Sequence, residues 1–364
     1  MILQYQNKTW GLDMPHCLSI ISLAVVSASA IGATSAGAQG RSVAPLPLLP
    51  MPQSVTRAAG SFTVHDGATI AATDAGATSA ATLLAAHVKA ERGLTLVPGP
   101  TGAIRLVRDP AVTGNEAYRL TVTPQGITIT ASGDRGLVHG TMTLAQLLSP
   151  DAAFGKAVTV PALTITDAPC FAWRGLMIDT ARNFLALPAL RAIVDQMASV
   201  KLNTLHLHLT DDQGWRVEIK KYPKLTQVGA WRRPPSTGGA QPTERVGGFY
   251  TQAELKDLVA YASARGITIV PEIDLPGHAQ ALVAAYPDLG ILGDTPAVSN
   301  QWGIMPYLFN PGPKGIAFVK DVLDELMAIF PGTYIHLGGD EAVKDQWQRS
   351  PVVQAQMTAL GIKG

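Results

Sequence analysis

The chain has 364 residues, 47% of them hydrophobic and 15% charged, with 28 basic against 27 acidic side chains. That length accommodates two domains with sizeable cores, and that composition excludes a disordered polymer. A net charge of +1 without any run of like charges offers no footprint for a polyanion. Nucleic acid is therefore not an expected partner, and a small, largely uncharged substrate is.

Residues 18–31 (LSIISLAVVSASAI) are apolar and uncharged, but shorter than the roughly 20 residues that a membrane-spanning helix requires. Ala36-Gly37-Ala38 follows as a small-residue cleavage pattern. Residues 1–38 are thus expected to be a signal peptide, with a mature chain that starts at Gln39, no membrane span, and a periplasmic or secreted destination. Cys17 leaves with that leader, so Cys170 lacks a disulfide partner and is expected to be a buried, inert thiol. Residues 41–53 are Pro-rich and predict an extended lead-in.

Residues 42–168 predict a small α+β domain. Ala81 to Glu91 is a helix candidate, and Leu137 to Leu148 carries a helical apolar face. Between them Tyr118, Leu120 and Val122 alternate with polar residues, and after Pro124-Gln125-Gly126 the alternation resumes at Ile127 and Ile129, which predicts a hairpin. No cluster of catalytic residue types appears here, so this domain is expected to act as a support.

From residue 169 to 364 the rhythm becomes strand, helix, strand, helix. The expected strands are Arg174 to Ile178, Thr204 to Leu209, Ile267 to Ile273 and Tyr334 to Leu337. The expected helices are Pro188 to Val200, Thr251 to Ala264 and Gly315 to Phe330. Thr251 with Glu254 three residues on forms a capping box, and Gly266 stops that helix. Repeated βα units predict a parallel sheet, open or closed into a barrel.

Each of these strands runs into polar residues at its C-terminal end: Asp179 and Arg182, Asp211 and Asp212, Asp274 and His278, then Asp340 and Glu341. Singly each has a bland explanation, such as turn formation for Asp211-Asp212 or charge at a helix start for Asp340-Glu341. Four successive strands ending this way point to an active site, because the βα loops of a barrel converge on that rim.

The strings RGLMIDTARNF (174–184), KLNTLHLHLTDDQGWR (201–216), GFYTQAELKDLVAYASARGITIVPEIDLPGHAQA (248–281) and YIHLGGDEA (334–342) resemble the catalytic domain of glycoside hydrolase family 20, the β-N-acetylhexosaminidases. Residues 42–168 resemble, more loosely, the small domain that precedes it. The resemblance implies an α/β fold with a (β/α)8 TIM-type barrel, of which this chain holds about the first four βα units, so the chain is expected to be a fragment. It implies that Glu341 is the general acid and later base, and that Asp340 holds the substrate's 2-acetamido group, whose oxygen is the nucleophile. Arg182 would grip sugar hydroxyls, Asp211 and His278 would form a relay behind the acid, and Asp274 would support His278. The implied partner is an oligosaccharide or glycoconjugate bearing N-acetylhexosamine, with no cofactor and no metal.

Two other readings stand beside it. His206-x-His208 places two imidazoles on one strand face, and with His278 and nearby aspartates that set suits zinc in a metal-dependent barrel hydrolase. A non-catalytic sugar-binding remnant is the other.

Overall fold

The computed structural model describes residues 46–148, 153–235 and 243–362; the expected leader (1–38) and Cys17 lie outside them. The first domain is a seven-stranded mixed sheet: β1 (Ser54–Val64), β2 (Ala68–Ala72), β3 (Leu96–Pro98), β4 (Ile104–Arg108), β5 (Tyr118–Thr123), β6 (Gly126–Ala131) and β7 (Val158–Asp167), in spatial order β1-β7-β5-β6-β4-β2-β3. Helices α1 (Ala75–Arg92) and α2 (Asp134–Leu148) pack against it.

The expected hairpin forms as β5–β6, with Leu120 opposite Ile129 and Val122 opposite Ile127. These residues and Leu106 face Leu84, Val88, Leu137 and Leu144 in one core. Helix α1 starts six residues before the expected point because the Asp74 side chain accepts from the Ala77 N–H at 2.9 Å and caps the earlier turn.

The second domain begins with β8 (Gly175–Asp179), α3 (Leu187–Ser199) and β9 (Thr204–His208). A tight hairpin follows, β10 (Thr210–Asp211) with β11 (Gly214–Trp215). Then come α4 (Lys224–Gln227), the ribbon β12 (Trp231–Arg232) and β13 (Val246–Gly247), α5 (Gln252–Ser263), β14 (Thr268–Glu272), α6 (Gln280–Ala285), α7 (Pro313–Met327), α8 (Asp345–Arg349) and α9 (Pro351–Ala359). The capping box forms at α5, where Glu254 accepts from the Thr251 N–H and Thr251 accepts from the Glu254 N–H.

Strands β8, β9 and β14 pair in parallel in the order β14-β9-β8. Leu205 and Leu207 of β9 join the helix-side core with Leu190, Val194, Leu255 and Phe318. His206 and His208, alternating with them, project from the other face. The expected fourth strand is reduced to one parallel bridge, His336 to Glu272, with backbone bonds to Pro271 and Ile273. Gly338 and Gly339, both at positive φ, turn the chain away right after Leu337 and leave no length for a ladder. The described residues thus form four βα units of an open barrel wall.

Polar contacts tie the two domains together. Arg174 and Asn203 both donate to Glu116, and Lys201, at φ 62, donates to Asp167 and to the Tyr118 hydroxyl. The loop that launches β9 is thereby fixed against the first domain. Cys170 lies in the connector just before β8 and is exposed, against the expectation of a buried thiol. Among the described residues no helix is long and apolar enough to cross a membrane.

Candidate active site

Register decides which side chains meet. Asp179 of β8, His208 of β9 and Glu272 of β14 are paired across the sheet, and His336 pairs with Glu272, so all four stand at one level near the strands' C-terminal ends. Above that level the βα loops bring in the remaining groups.

The turn after β8 wraps around Asp179, whose Oδ1 accepts from the Ala181 and Arg182 N–H groups at 2.9 Å each. The same carboxylate takes the Arg182 guanidinium at 3.1 Å, and Asp211 takes it from the other side at 2.7 Å. Burial works against the Arg182 charge, but these two carboxylates outweigh it and raise its pKa. A held guanidinium that keeps partial exposure is suited to bind sugar hydroxyls.

Asp211 ends β10 and Asp212 opens the turn of the β10–β11 hairpin, both with their side chains fully buried. Burial pushes the Asp211 pKa up, yet hydrogen bonds from His208 and His278 win and hold it at about 2. His278 Nδ1 lies 3.1 Å from Asp211 and 3.2 Å from Asp212. Hydrogen bonds to that pair of carboxylates push the His278 pKa to about 11, against burial. Its Nε2, buried and without a hydrogen-bond partner among the described residues, stands 3.4 Å from Glu341 and 3.9 Å from Asp340.

Asp340 and Glu341 are exposed, as groups that address a substrate must be. The chain reaches them through Gly338, whose close approach to Asp274 admits no side chain. Asp274 accepts from the Gly339 N–H at 3.0 Å, and burial, with the charge of Asp340, pushes its pKa to about 7 although that bond opposes the shift. Asp274 therefore braces the turn under Asp340 and Glu341, and Asp212, not Asp274, is the second carboxylate bonded to His278. His278 (φ 49) and Glu341 (φ 47), which face one another, both hold the left-handed backbone that non-glycine residues rarely adopt.

Below the rim, Glu272 collects three imidazoles: His206 Nε2 at 2.7 Å, His208 Nδ1 at 2.6 Å and His336 Nδ1 at 2.8 Å. The sets His206, Glu272 and His336, and Asp211, Asp212 and His278, have donor types that suit a metal. Tetrahedral zinc with bonds of ~2.05 Å spaces its ligand atoms about 3.3 Å apart. The contacts to Glu272 are shorter than that, at the distance of charge-assisted hydrogen bonds. Burial lowers the His208 pKa, but Asp211 and Glu272 together lift it to about 10.

Arg182, Asp211, His278, Asp340 and Glu341, which lie far apart in sequence, are thus brought into one chain of contacts at the rim, and Arg182 and Asp340 line an open cleft of about 750 Å³ together with His206, His208, Glu272 and His336. A hollow of about 820 Å³ on the first domain's sheet is lined by no carboxylate, imidazole or thiol and offers no comparable chemistry. Sequence reasoning gave no role to Asp212 or Glu272. A lone acid inside the apolar run ITIVPEI (267–273) was the available signal for Glu272, since a buried charge demands partners. Trp347 donates to the Phe309 carbonyl.

A carboxyl pair backed by a buried histidine–aspartate relay, on the C-terminal rim of a parallel βα wall, is the layout of a barrel glycoside hydrolase. Residues 171–364 match the glycosyl hydrolase family 20 catalytic domain, and residues 46–168 match domain 2 of that family. The chain belongs to glycosyl hydrolase family 20. It is 38% identical over 327 residues to a beta-hexosaminidase of Porphyromonas gingivalis, covering 87% of this chain and 41% of the relative. It is 40% identical over 330 residues to a beta-hexosaminidase of Vibrio furnissii, covering 87% and 52%.

Among solved structures, an exo beta-N-acetylglucosaminidase of Vibrio harveyi in complex with N-acetylglucosamine superposes with a TM-score of 0.78 at 38% identity, over 88% of this chain and 50% of that one. An N-acetyl-beta-hexosaminidase of Streptomyces plicatus superposes with a TM-score of 0.75 at 36% identity, over 86% and 64%. The chain spans about half the length of the curated relatives it matches. Its fold is that of the family, a small α+β domain before a (β/α)8 TIM-type barrel, with four βα units described here and the wall open.

Proposed function

We propose that this chain carries the acid, relay and arginine side of a β-N-acetylhexosaminidase site, which removes terminal N-acetylglucosamine or N-acetylgalactosamine from the non-reducing end of glycans, chitin fragments among them. The observation that carries this reading is the contact between the buried His278, held by Asp211 and Asp212, and the exposed Glu341 beside Asp340. The names of the relatives support it.

In the proposed reaction the acetamido oxygen attacks the anomeric carbon, while the Glu341 carboxyl proton passes to the departing glycosidic oxygen. Asp340 accepts from the acetamide N–H and offsets the positive charge that develops on the oxazolinium-type intermediate. Glu341, now a carboxylate, takes a proton from water, and that water reopens the ring with net retention. His278 holds Glu341 in place throughout, and Arg182 fixes the sugar hydroxyls.

Hydrolysis of a chromogenic N-acetyl-β-glucosaminide is the test. A matched glycoside with hydroxyl in place of the 2-acetamido group should be cleaved poorly, because the nucleophile is then missing. Equal rates on both would make an enzyme carboxylate the nucleophile and end the substrate-assisted reading. We also propose export, on the apolar run at 18–31 and the Ala36-Gly37-Ala38 site. N-terminal sequencing of the mature protein should start near Gln39, and a mature chain that retains 18–31 would count against export.

A further inference from the structure

Arg216 is almost wholly buried, at 1% exposure, yet forms no ion pair among the described residues. Its guanidinium ends on backbone carbonyls of the β8 turn, the β10–β11 hairpin and the two ends of the β12–β13 ribbon. Nε donates to Thr180 and Ala181 at 3.0 and 3.2 Å, Nη1 to Ala230 and Gly248 at 2.6 and 3.1 Å, and Nη2 to Ala181 and Gln213 at 2.6 and 3.3 Å. The next carbonyl in the chain, that of Arg182, accepts from Arg232 at 2.5 Å. Three successive carbonyls of the turn that carries Arg182 therefore end on guanidinium groups.

Burying a cation without a counter-ion is costly, and an apolar side chain of that size would fill the space at less expense. What the guanidinium supplies is a rigid planar fork that fixes several carbonyls at once, which an ammonium cannot reproduce. Space has been left for it. A methyl group on Gly214 would stand 2.2 Å from the Arg216 Cζ, and Gly214 lies outside the left-handed region, so a side chain there would act by pushing the fork out of place.

We infer that Arg216 is a positioning residue for Arg182: it fixes the main chain of the β8 turn, as Asp179 and Asp211 fix the side chain, so that the sugar-gripping guanidinium is preset before substrate arrives. The inference rests on the sugar-binding role of Arg182 proposed above.

Arg216→Lys removes the fork and keeps the charge, and Gly214→Ala displaces the fork without removing it. Both should raise KM for a chromogenic N-acetylglucosaminide about tenfold and leave kcat within about threefold, with N-acetylglucosamine binding by calorimetry weakened to match. In an Arg182→Lys background the Arg216→Lys change should shift KM by less than about twofold, because its effect passes through Arg182. Independently of any sugar, the Arg182 Nη–H resonances, bonded to Asp179 and Asp211, should be sharp in the wild type and broadened by solvent exchange in Arg216→Lys.

Additive penalties, a loss confined to kcat, or an unchanged Arg182 resonance would overturn the assignment. So would loss of the folded state in both variants, since Arg216 would then serve the fold alone. A wild-type protein that binds no N-acetylhexosamine would sink the proposed function, while the Arg182 resonance would still decide the role of Arg216.

Discussion

Gly338→Ala tests whether the turn under Asp340 and Glu341 is wedged as tightly as the structure shows. A methyl group there would lie 1.7 Å from Asp274 Oδ1 and 2.3 Å from its Cγ, on a backbone at φ +62. A left-handed conformation costs an ordinary residue about 1–2 kcal/mol. To restore van der Waals separation the Asp274 carboxyl must retreat by about 2 Å. That breaks its 3.0 Å bond from the Gly339 N–H, and a buried polar group left unpaired costs about 1–3 kcal/mol. Together the substitution should destabilise the barrel domain by about 2–5 kcal/mol.

The neighbouring Gly339→Ala is the control. At φ +106 it meets only the Leu275 carbonyl at 4.0 Å, so backbone strain of about 1–3 kcal/mol should be its whole cost. Five of the six tryptophans, Trp173, Trp215, Trp231, Trp302 and Trp347, lie in the barrel domain and the sixth, Trp10, in the proposed leader, so urea unfolding of a chain that starts at Gln39, followed by tryptophan fluorescence, reads the barrel domain. A Gly338→Ala penalty below about 1 kcal/mol, or no larger than that of Gly339→Ala, would refute the wedge.

On the proposed mechanism Glu341→Gln removes the acid and keeps the acetamido nucleophile, so substrates with good leaving groups should suffer less than natural glycosides; Asp340→Asn should slow both kinds alike, as paired kcat/KM measurements will show. Asp211, held at about 2 by its histidine partners, contributes stability that is present above its unfolded pKa near 3.9 and lost as pH falls from about 4 to about 2. Asp211→Asn should flatten the acid limb of a stability–pH curve in that window, and an unchanged limb would show that Asp211 is not the group responsible.

The barrel half was legible because its elements carry strong local signals. Apolar strands five residues long, Pro188 in the first turn of α3 and the capping box at α5 each specify one structure without help from distant residues. Strand Tyr334–Leu337 was legible as an apolar run but not as a lone bridge, since the two glycines after it decide its length through tertiary contact with Asp274. In the first domain β1 and β7 escaped notice. Their residues SVTRAAGSFTV and VTVPALTITD mix Gly, Pro and threonine, and only pairing with each other along their length makes them strands.

The site divides the same way. Residues at strand ends announced themselves by position, and Arg182, Asp211, His278, Asp340 and Glu341 needed only the barrel's convergence to meet. Partner choice inside the cluster was not legible, because it depends on register. Asp274 faces Gly339 and Asp212 faces His278 only once β10 and β14 are aligned.

Glu272 shows how far that register carries. It stands level with His208 and His336, and His208 in turn donates to Asp211, the carboxylate shared by Arg182 and His278. One acid below the rim thus stands behind both Arg182, the arginine proposed to hold the sugar, and the contact from His278 to Glu341. Glu272→Gln keeps the shape but removes the charge that helps lift the His208 pKa to about 10. The His208 pKa should then fall towards its ordinary value of about 6.5. His208, cationic throughout the neutral range in the wild type, would then shed its proton as pH rises through neutrality. Asp211 would be left with one fewer positive neighbour and would draw the Arg182 guanidinium closer. The variant's KM should therefore climb with pH between 6 and 8 while the wild type's stays flat, and the His208 imidazole resonance should titrate over the same interval. A His208 resonance that titrates as in the wild type would mean that Asp211 alone holds the histidine charged, and that the row beneath the rim has no hold on the site above it.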